Sequence, residues 1–176
     1  MPRFSMLAVP AFAVVAALFS SHLVWPPPDI GLRGIDVADA CEKAGADPRL
    51  VWPEGARLFA PASIGIGALG SPDLEVVAVP FHTAAKGVER VLRFFDPATP
   101  NPESLLDDTK ATHVAVCGVR GKILDSVAAA FPLAANLATG TPPDWLVECP
   151  GTGPLRIYRY PAAGGAGDQC PSPVVP

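Results

Sequence analysis

One apolar stretch, residues 76–79, constrains what this chain can fold into more than any other part of the sequence. It contains three valines and an alanine, and Pro80 ends it. A β-branched run without alternating polar residues is typical of a strand that is buried on both faces. Residues 84–95 then follow a helical period, so the sequence predicts a central strand, a loop and a helix. The loop carries Phe81, His82 and Thr83.

Further segments extend this pattern into a domain. Residues 57–60 and 112–117 predict two more strands with helices between them, and residues 145–149 and 155–160 predict a hairpin. Strands that alternate with helices favour a mostly parallel sheet with helices on both faces. We therefore expect a small three-layer α/β fold, with a mostly parallel sheet and an antiparallel C-terminal hairpin, preceded by one N-terminal transmembrane helix.

The N-terminal segment predicts a membrane anchor. Residues 6–25 contain no acidic or basic side chain except His22, and about 20 apolar residues suffice to cross a bilayer as a helix. Arg3 precedes the segment and acidic residues follow it, which favours a cytoplasmic N-terminus. We expect a single-pass protein of the bacterial inner membrane, with its C-terminal domain periplasmic or extracytoplasmic and the lipid bilayer as the partner of residues 6–25.

Two alternatives for this segment stay open. A cleaved signal peptide needs small residues at the cleavage site, and the match near Ser20 and Ser21 is poor. A buried core helix would also be apolar all round. The retained anchor divides the chain into an anchor (or signal) helix at 1–25, a Pro-rich spacer with a short helix at 26–53, the α/β domain at 54–160 and a disordered tail at 161–176.

Composition excludes some classes of function. The formal net charge is -4 and only 17% of the residues are charged. No basic stripe is present, so we expect no nucleic-acid partner. The three histidines are scattered and no CxxC pair occurs, which argues against a metal site. We expect neither a metal nor any other cofactor.

The four cysteines are widely spaced, at Cys41, Cys117, Cys149 and Cys170. Disulfides are possible if the domain lies outside the cytosol, and four cysteines allow three full pairings that the sequence leaves open. For Cys117 the favoured interpretation is a buried strand residue, because free cysteines are often buried.

Three glycines meet the spacing of a dinucleotide-binding loop, at Gly65, Gly67 and Gly70. That motif requires a long helix after the glycines. Here Ser71 and Pro72 stop the helix at once. The sequence therefore favours close packing of a helix on the sheet over nucleotide binding.

Several short motifs carry a resemblance to a known family. They are FAP at 59–61, VPFH at 79–82 ahead of KGV at 86–88, THVAVC at 112–117, PPDWL at 142–146 and GPLRIYR at 153–159. In these motifs the chain resembles the soluble C-terminal domain of bacterial polytopic glycosyltransferase-C-like membrane proteins of uncertain activity. The resemblance implies a domain that follows a last transmembrane helix on the extracytoplasmic side. The bundle that would carry glycosyl transfer is missing here, so that activity is not implied.

The loops after the parallel strands predict a candidate site. The carboxyl ends of such strands meet at one edge of the sheet, where His82, Lys86 and Arg120 would suit an anionic ligand such as a phosphate or sugar phosphate. No G-x-S-x-G elbow surrounds Ser63, and we expect no catalytic residue. In the structural alternative, which is favoured, His82 caps its loop and Arg120 pairs with a carboxylate. The candidate ligand-binding residues are Ser63, His82, Thr83, Lys86 and Arg120.

The favoured function is a membrane-anchored extracytoplasmic α/β domain, non-catalytic, that acts as an accessory or partner-binding part of a membrane glycosyltransferase-like system and contacts another membrane protein. The alternative is a ligand-binding or enzymatic domain that uses the edge of His82 and Arg120 for an anionic ligand. A third possibility is a truncated gene product whose anchor is the last helix of a lost bundle.

Overall fold

The computed structural model describes Cys41 and residues 50–78, 85–118, 128–150 and 153–173. The predicted anchor and almost all of the predicted spacer lie outside these residues, as do His82, Thr83 and Arg120. Among the described residues, no helix combines the length and the apolar character needed to cross a membrane.

The described residues include seven strands and four α-helices, and residues 128–130 are also helical. The strands are β1 (Leu50–Val51), β2 (Ala56–Phe59), β3 (Leu74–Val76), β4 (His113–Cys117), β5 (Val147–Cys149), β6 (Leu155–Arg159) and β7 (Ser172–Pro173). The helices are α1 (Ala62–Ala68), α2 (Ala85–Phe95), α3 (Glu103–Thr109) and α4 (Pro132–Thr139). Two short 3-10 helices, Pro161–Ala163 and Gly165–Asp168, follow β6.

Five of the strands form one sheet in the order β3-β2-β4-β6-β5. The pairs β2–β3 and β2–β4 are parallel, whereas β4–β6 and β5–β6 are antiparallel. The prediction of an α/β domain with an antiparallel C-terminal hairpin is therefore confirmed for the described residues. The sheet is parallel at one end, with two parallel and two antiparallel pairs, rather than mostly parallel.

The sheet separates two hydrophobic cores, because successive side chains of a strand point to opposite faces. Val114 and Val116 of β4 belong to the core that also contains Phe94 of α2, Leu106 of α3 and Leu137 of α4. Ala115, between them, belongs to the core that contains Ile64 and Ala68 of α1. Helices thus cover both faces of the central strand, which is why β4 reads as a continuous apolar run.

The prediction of residues 76–79 as the central strand is wrong. β3 ends at Val76 and lies at the edge of the sheet, with Glu75 exposed. The apolar character has another cause, since helices enclose the segment just after β3. A Cβ atom added at Gly65 of α1 would lie 2.2 Å from the carbonyl oxygen of Ala78, and one added at Gly87 of α2 would lie 2.0 Å from that of Val77. The expectation that the glycine motif serves close packing is confirmed at Gly65.

The two disulfides are Cys41–Cys117 and Cys149–Cys170, with Cα–Cα distances of 5.8 and 5.5 Å. Cys117 is a strand residue, as expected, but it is half-buried and disulfide-bonded rather than a free buried cysteine. The backbone of β4 holds Cys117 where the strand predictions place it, but its partner lies 76 residues away in the sequence. Sequence spacing carries no information on such a pairing.

The prediction of a disordered tail at 161–176 is also wrong for the described part, residues 161–173. This segment forms the two 3-10 helices and β7, which pairs with β1. Cys170 is bonded to Cys149, and the carbonyl oxygen of Gln169 accepts a hydrogen bond from Nε2 of His113 at 2.8 Å. These contacts order a Gly- and Pro-rich segment whose composition alone favours disorder.

Candidate functional site

The parallel pairing of β2, β3 and β4 brings the chain after each strand to one edge of the sheet. Of the predicted site residues, Ser63 lies in α1 next to this edge, but its side chain is outside the description, and Lys86 is exposed in the first turn of α2. His82, Thr83 and Arg120 fall in segments outside the described residues. The convergence of all five residues on one ligand stays a prediction.

An apolar cleft of about 320 Å³ opens beside α2. Its walls come from α2 and α4, and its base from the end of β4. The described lining residues are Pro61, Val88, Val91, Leu92, Phe95, Val116, Cys117, Phe131, Ala134 and Ala138. Two of them are large and open to solvent, since Leu92 is 61% and Phe131 is 42% exposed. None of these described lining residues carries a charged side chain, and Cys117 is disulfide-bonded, so the cleft suits the binding of an apolar group.

The pattern of α2 explains this cleft. Val88, Val91, Leu92 and Phe95 recur at the spacing of one helix face, and the sequence predicts them as a single core-facing stripe. In the structure Val91 and Phe95 are buried, whereas Leu92 points out of the core. The stripe is wider than the core needs, and this excess width is the signal in the sequence that indicates an exposed apolar surface.

A second, polar cleft of about 630 Å³ lies between the start of α2, the end of α3 and the strands β2 and β3. Three cations line it, Arg57 of β2 with Lys86 and Arg90 of α2, together with the carboxylate of Asp108. Nη2 of Arg57 donates to Oε1 of Glu75 at 2.7 Å. The predicted Lys86 therefore does lie at a cationic surface, but the described residues around it are not those that the sequence predicted.

Arg57 is the residue that the sequence analysis missed. It lies in β2 between two buried residues, Ala56 and Leu58, and pairs across the sheet with Glu75 of β3. The signal in the sequence is a charged residue between apolar residues of a short strand, together with an opposite charge in a neighbouring strand. The order of the strands was needed to see that these two residues are neighbours.

Burial raises the pKa of two tyrosines, and both serve the core. The pKa of Tyr158 rises to about 12, mainly through burial and then through the charge of Glu148, and its hydroxyl donates to the carbonyl oxygen of Leu137. The pKa of Tyr160 is raised by burial and by its hydrogen bonds to Asp107 and Glu103. Neither tyrosine is among the described residues that line a cleft. Within the described ranges, no group of His, Cys, Asp and Glu residues is arranged to hold a metal ion.

No protein-family model matches this chain, and no curated protein matches it. Among solved structures, the chain is similar to the C-terminal globular domain of an oligosaccharyltransferase from Archaeoglobus fulgidus. The two share 12% sequence identity at a TM-score of 0.46, and the match covers 69% of this chain and 95% of that domain.

Proposed function

We propose that this chain is an extracytoplasmic accessory domain of a membrane glycosyltransferase-like system, anchored in a bacterial inner membrane through residues 6–25. Its apolar cleft binds an apolar segment of the partner membrane protein. The observation that carries this proposal is the cleft itself, with Leu92 and Phe131 open to solvent on a lining that is apolar among the described residues.

The energetics of such a cleft favour binding. Large apolar side chains that are exposed together mark interaction sites more often than chance. Removing one Leu or Phe side chain from water contributes about 1.5–3 kcal/mol. Covering Leu92 and Phe131 together would therefore supply a useful part of the free energy of association. A partner segment with charged groups would lose their hydration without gaining a polar contact from the described lining.

Three of the motif segments that resemble the membrane glycosyltransferase family contribute residues to this same cleft. Pro61 ends the first motif, Val88 ends the motif at 86–88, and Val116 and Cys117 end the motif at 112–117. These residues line the cleft from three separate parts of the chain. This placement supports a role of the cleft in the function of such domains. The motifs then do more than pack the hydrophobic core.

The disulfides support the proposed compartment. Cys41–Cys117 and Cys149–Cys170 account for all four cysteines of the chain. Structural disulfides form and persist in oxidising compartments and are rare in the bacterial cytosol. An extracytoplasmic location of the domain agrees with the orientation that the N-terminal charges predict.

The proposal is tested by photo-crosslinking in the membranes of the native host. A photoreactive amino acid replaces Leu92 in one variant and Leu69 in a second, because Leu69 is 51% exposed but does not line the cleft. We expect position 92 to crosslink to a polytopic membrane protein with glycosyltransferase-like sequence, identified by mass spectrometry, and position 69 to give no such product. Crosslinks from position 92 to lipid or to this chain alone, or equal yields from both positions, would contradict the proposal.

A further inference from the structure

The polar cleft gathers three cations, and two of them have no ionic partner among the described residues. Arg57, Lys86 and Arg90 line it. Among the described residues the ion pairs are Arg57–Glu75 and Arg156–Glu148, so neither Lys86 nor Arg90 has an ionic partner there. Lys86 and Arg90 lie four residues apart on α2, where two like charges repel each other. An anion between them would turn this repulsion into attraction.

Arg57 reaches the same cleft from the sheet. Its backbone N–H donates to Oγ1 of Thr112 at 2.7 Å, which fixes its position in β2. Its Nη2 donates to Glu75, whose side chain is 64% exposed. These two contacts hold Arg57 in place at the cleft, where its positive charge adds to those of Lys86 and Arg90.

The carboxylate of Asp108 restricts which anionic ligands the cleft can bind. It lines the cleft from α3 and would repel a bare anion. A carboxylate accepts hydrogen bonds readily from hydroxyl groups. The cleft therefore combines cations that suit phosphate oxygens with an acceptor that suits a hydroxyl. Its volume of about 630 Å³ lies within the usual range of small-molecule sites.

We propose that the polar cleft binds a phosphate ester that carries hydroxyl groups. Arg57, Lys86 and Arg90 contact the phosphate, and Asp108 accepts a hydrogen bond from a hydroxyl. Two sources share this chemistry, a soluble sugar phosphate and the headgroup of a phospholipid such as phosphatidylglycerol. The inference goes beyond the accessory role, because it uses a different cleft and does not depend on a partner at Leu92.

Calorimetric titration of the full-length chain in detergent tests the site. The probes are glucose 1-phosphate, glycerophosphoglycerol as the soluble lipid headgroup, and inorganic phosphate. We expect Lys86→Gln and Arg90→Gln each to weaken ester binding about ten-fold, because each loses one charge-assisted contact. Arg93→Gln is the matched control, since Arg93 lies on the same helix outside the described lining of the cleft. It should leave the affinity unchanged.

Asp108→Asn distinguishes this site from one that binds any anion. The variant should bind both hydroxyl-bearing esters more weakly, because an amide oxygen accepts a hydrogen bond from a hydroxyl less strongly than a carboxylate does. It should bind inorganic phosphate more tightly, because the negative charge that repels the phosphate is removed. Tighter binding of glucose 1-phosphate than of glycerophosphoglycerol identifies a free sugar phosphate as the ligand, and the reverse order identifies a lipid headgroup.

Any one of three results would overturn the proposal. The first is that the unaltered chain binds neither ester. The second is an equal loss of affinity in Arg93→Gln and Arg90→Gln, and the third is a change of affinity in the same direction for all probes in Asp108→Asn. Thermal unfolding of each variant shows whether it is folded. Crosslinking at position 92 reports on the apolar cleft separately, so failure of one proposal leaves the other intact.

Discussion

His113 is fully buried in the central strand, and each nitrogen of its ring has a partner. Nε2 lies 2.8 Å from the carbonyl oxygen of Gln169, which can only accept, so Nε2 carries the proton. Nδ1 then accepts from the hydroxyl of Thr112 at 2.9 Å. The sequence predicts the strand at 112–117 that contains His113, but the partner Gln169 lies in a segment whose composition favours disorder.

This arrangement makes stability depend on pH. Burial is the main cause that lowers the pKa of His113, and the charge of Arg159 lowers it further against the opposing bond to Gln169. Since the pKa is lower in the folded than in the unfolded state, the stabilising contribution is complete above about pH 6.5, the ordinary value for histidine. It is lost as the pH falls towards the folded-state pKa, with a slope of at most about 1.4 kcal/mol per pH unit for one proton.

Urea unfolding of the full-length chain between pH 7.5 and 5 measures this effect. We expect the free energy of unfolding to fall with pH, and His113→Gln to be less stable at pH 7.5 but flatter across the range. An equal slope in His113→Gln and the unaltered chain would show that other groups cause the pH dependence.

At the scale of elements, the first turn of α2 rests directly on the chain that leaves β3. A Cβ atom at Gly87 would lie 2.0 Å from the carbonyl oxygen of Val77 and 3.4 Å from Cα of Ala78. The bounds of this helix are predicted nearly correctly, because hydrophobic period and Pro or Gly punctuation act locally. The sequence places the strand before it at residues 76–79, whereas β3 is Leu74–Val76. It does not predict that β3 is at the edge, since strand order depends on contacts between distant residues. The polar cleft was missed for that reason.

Gly87→Ala tests how tightly these elements pack. Alanine favours a helix over glycine by about 1 kcal/mol, yet here the added methyl group meets backbone that cannot rotate away. We expect a net loss of about 1–3 kcal/mol in the free energy of unfolding, as in other overpacked sites. Gly70→Ala is the control, because nothing lies within 4 Å of its added Cβ. A stabilised Gly87→Ala variant would mean that α2 sits further from β3 than described.

At the scale of the whole molecule, the fold determines which cysteines pair. The sequence leaves three pairings open, and the fold selects one that joins Cys41 to the central strand and Cys149 to the C-terminal segment. This selection depends on the three-dimensional path of the chain, which cysteine spacing does not record. The anchor, by contrast, is a prediction from composition alone.

Thiol labelling of the protein recovered from cells tests whether the domain lies in an oxidising compartment. After denaturation without reductant, we expect a maleimide to label none of the four cysteines of the full-length chain, and to label all four after reduction. Cys41→Ser is the control, because it frees the thiol of Cys117 and should give one label without reduction. Four labelled thiols before reduction would place the domain in a reducing compartment and contradict the extracytoplasmic proposal.

The short ladder of β1 and β7 has a mechanical consequence. Because Leu50 pairs with Pro173 and Val51 with Ser172, the first and last strands of the described fold are neighbours. Leu50 and Cys170 both pack against the core on the α1 side of the sheet, whereas the helix α2 that borders both clefts covers the other side. A pulling force applied at residues 50 and 173 would therefore load this ladder and the Cys149–Cys170 bond first. Through this bond the tension would reach β5, which is the edge strand opposite β3 in the five-stranded sheet.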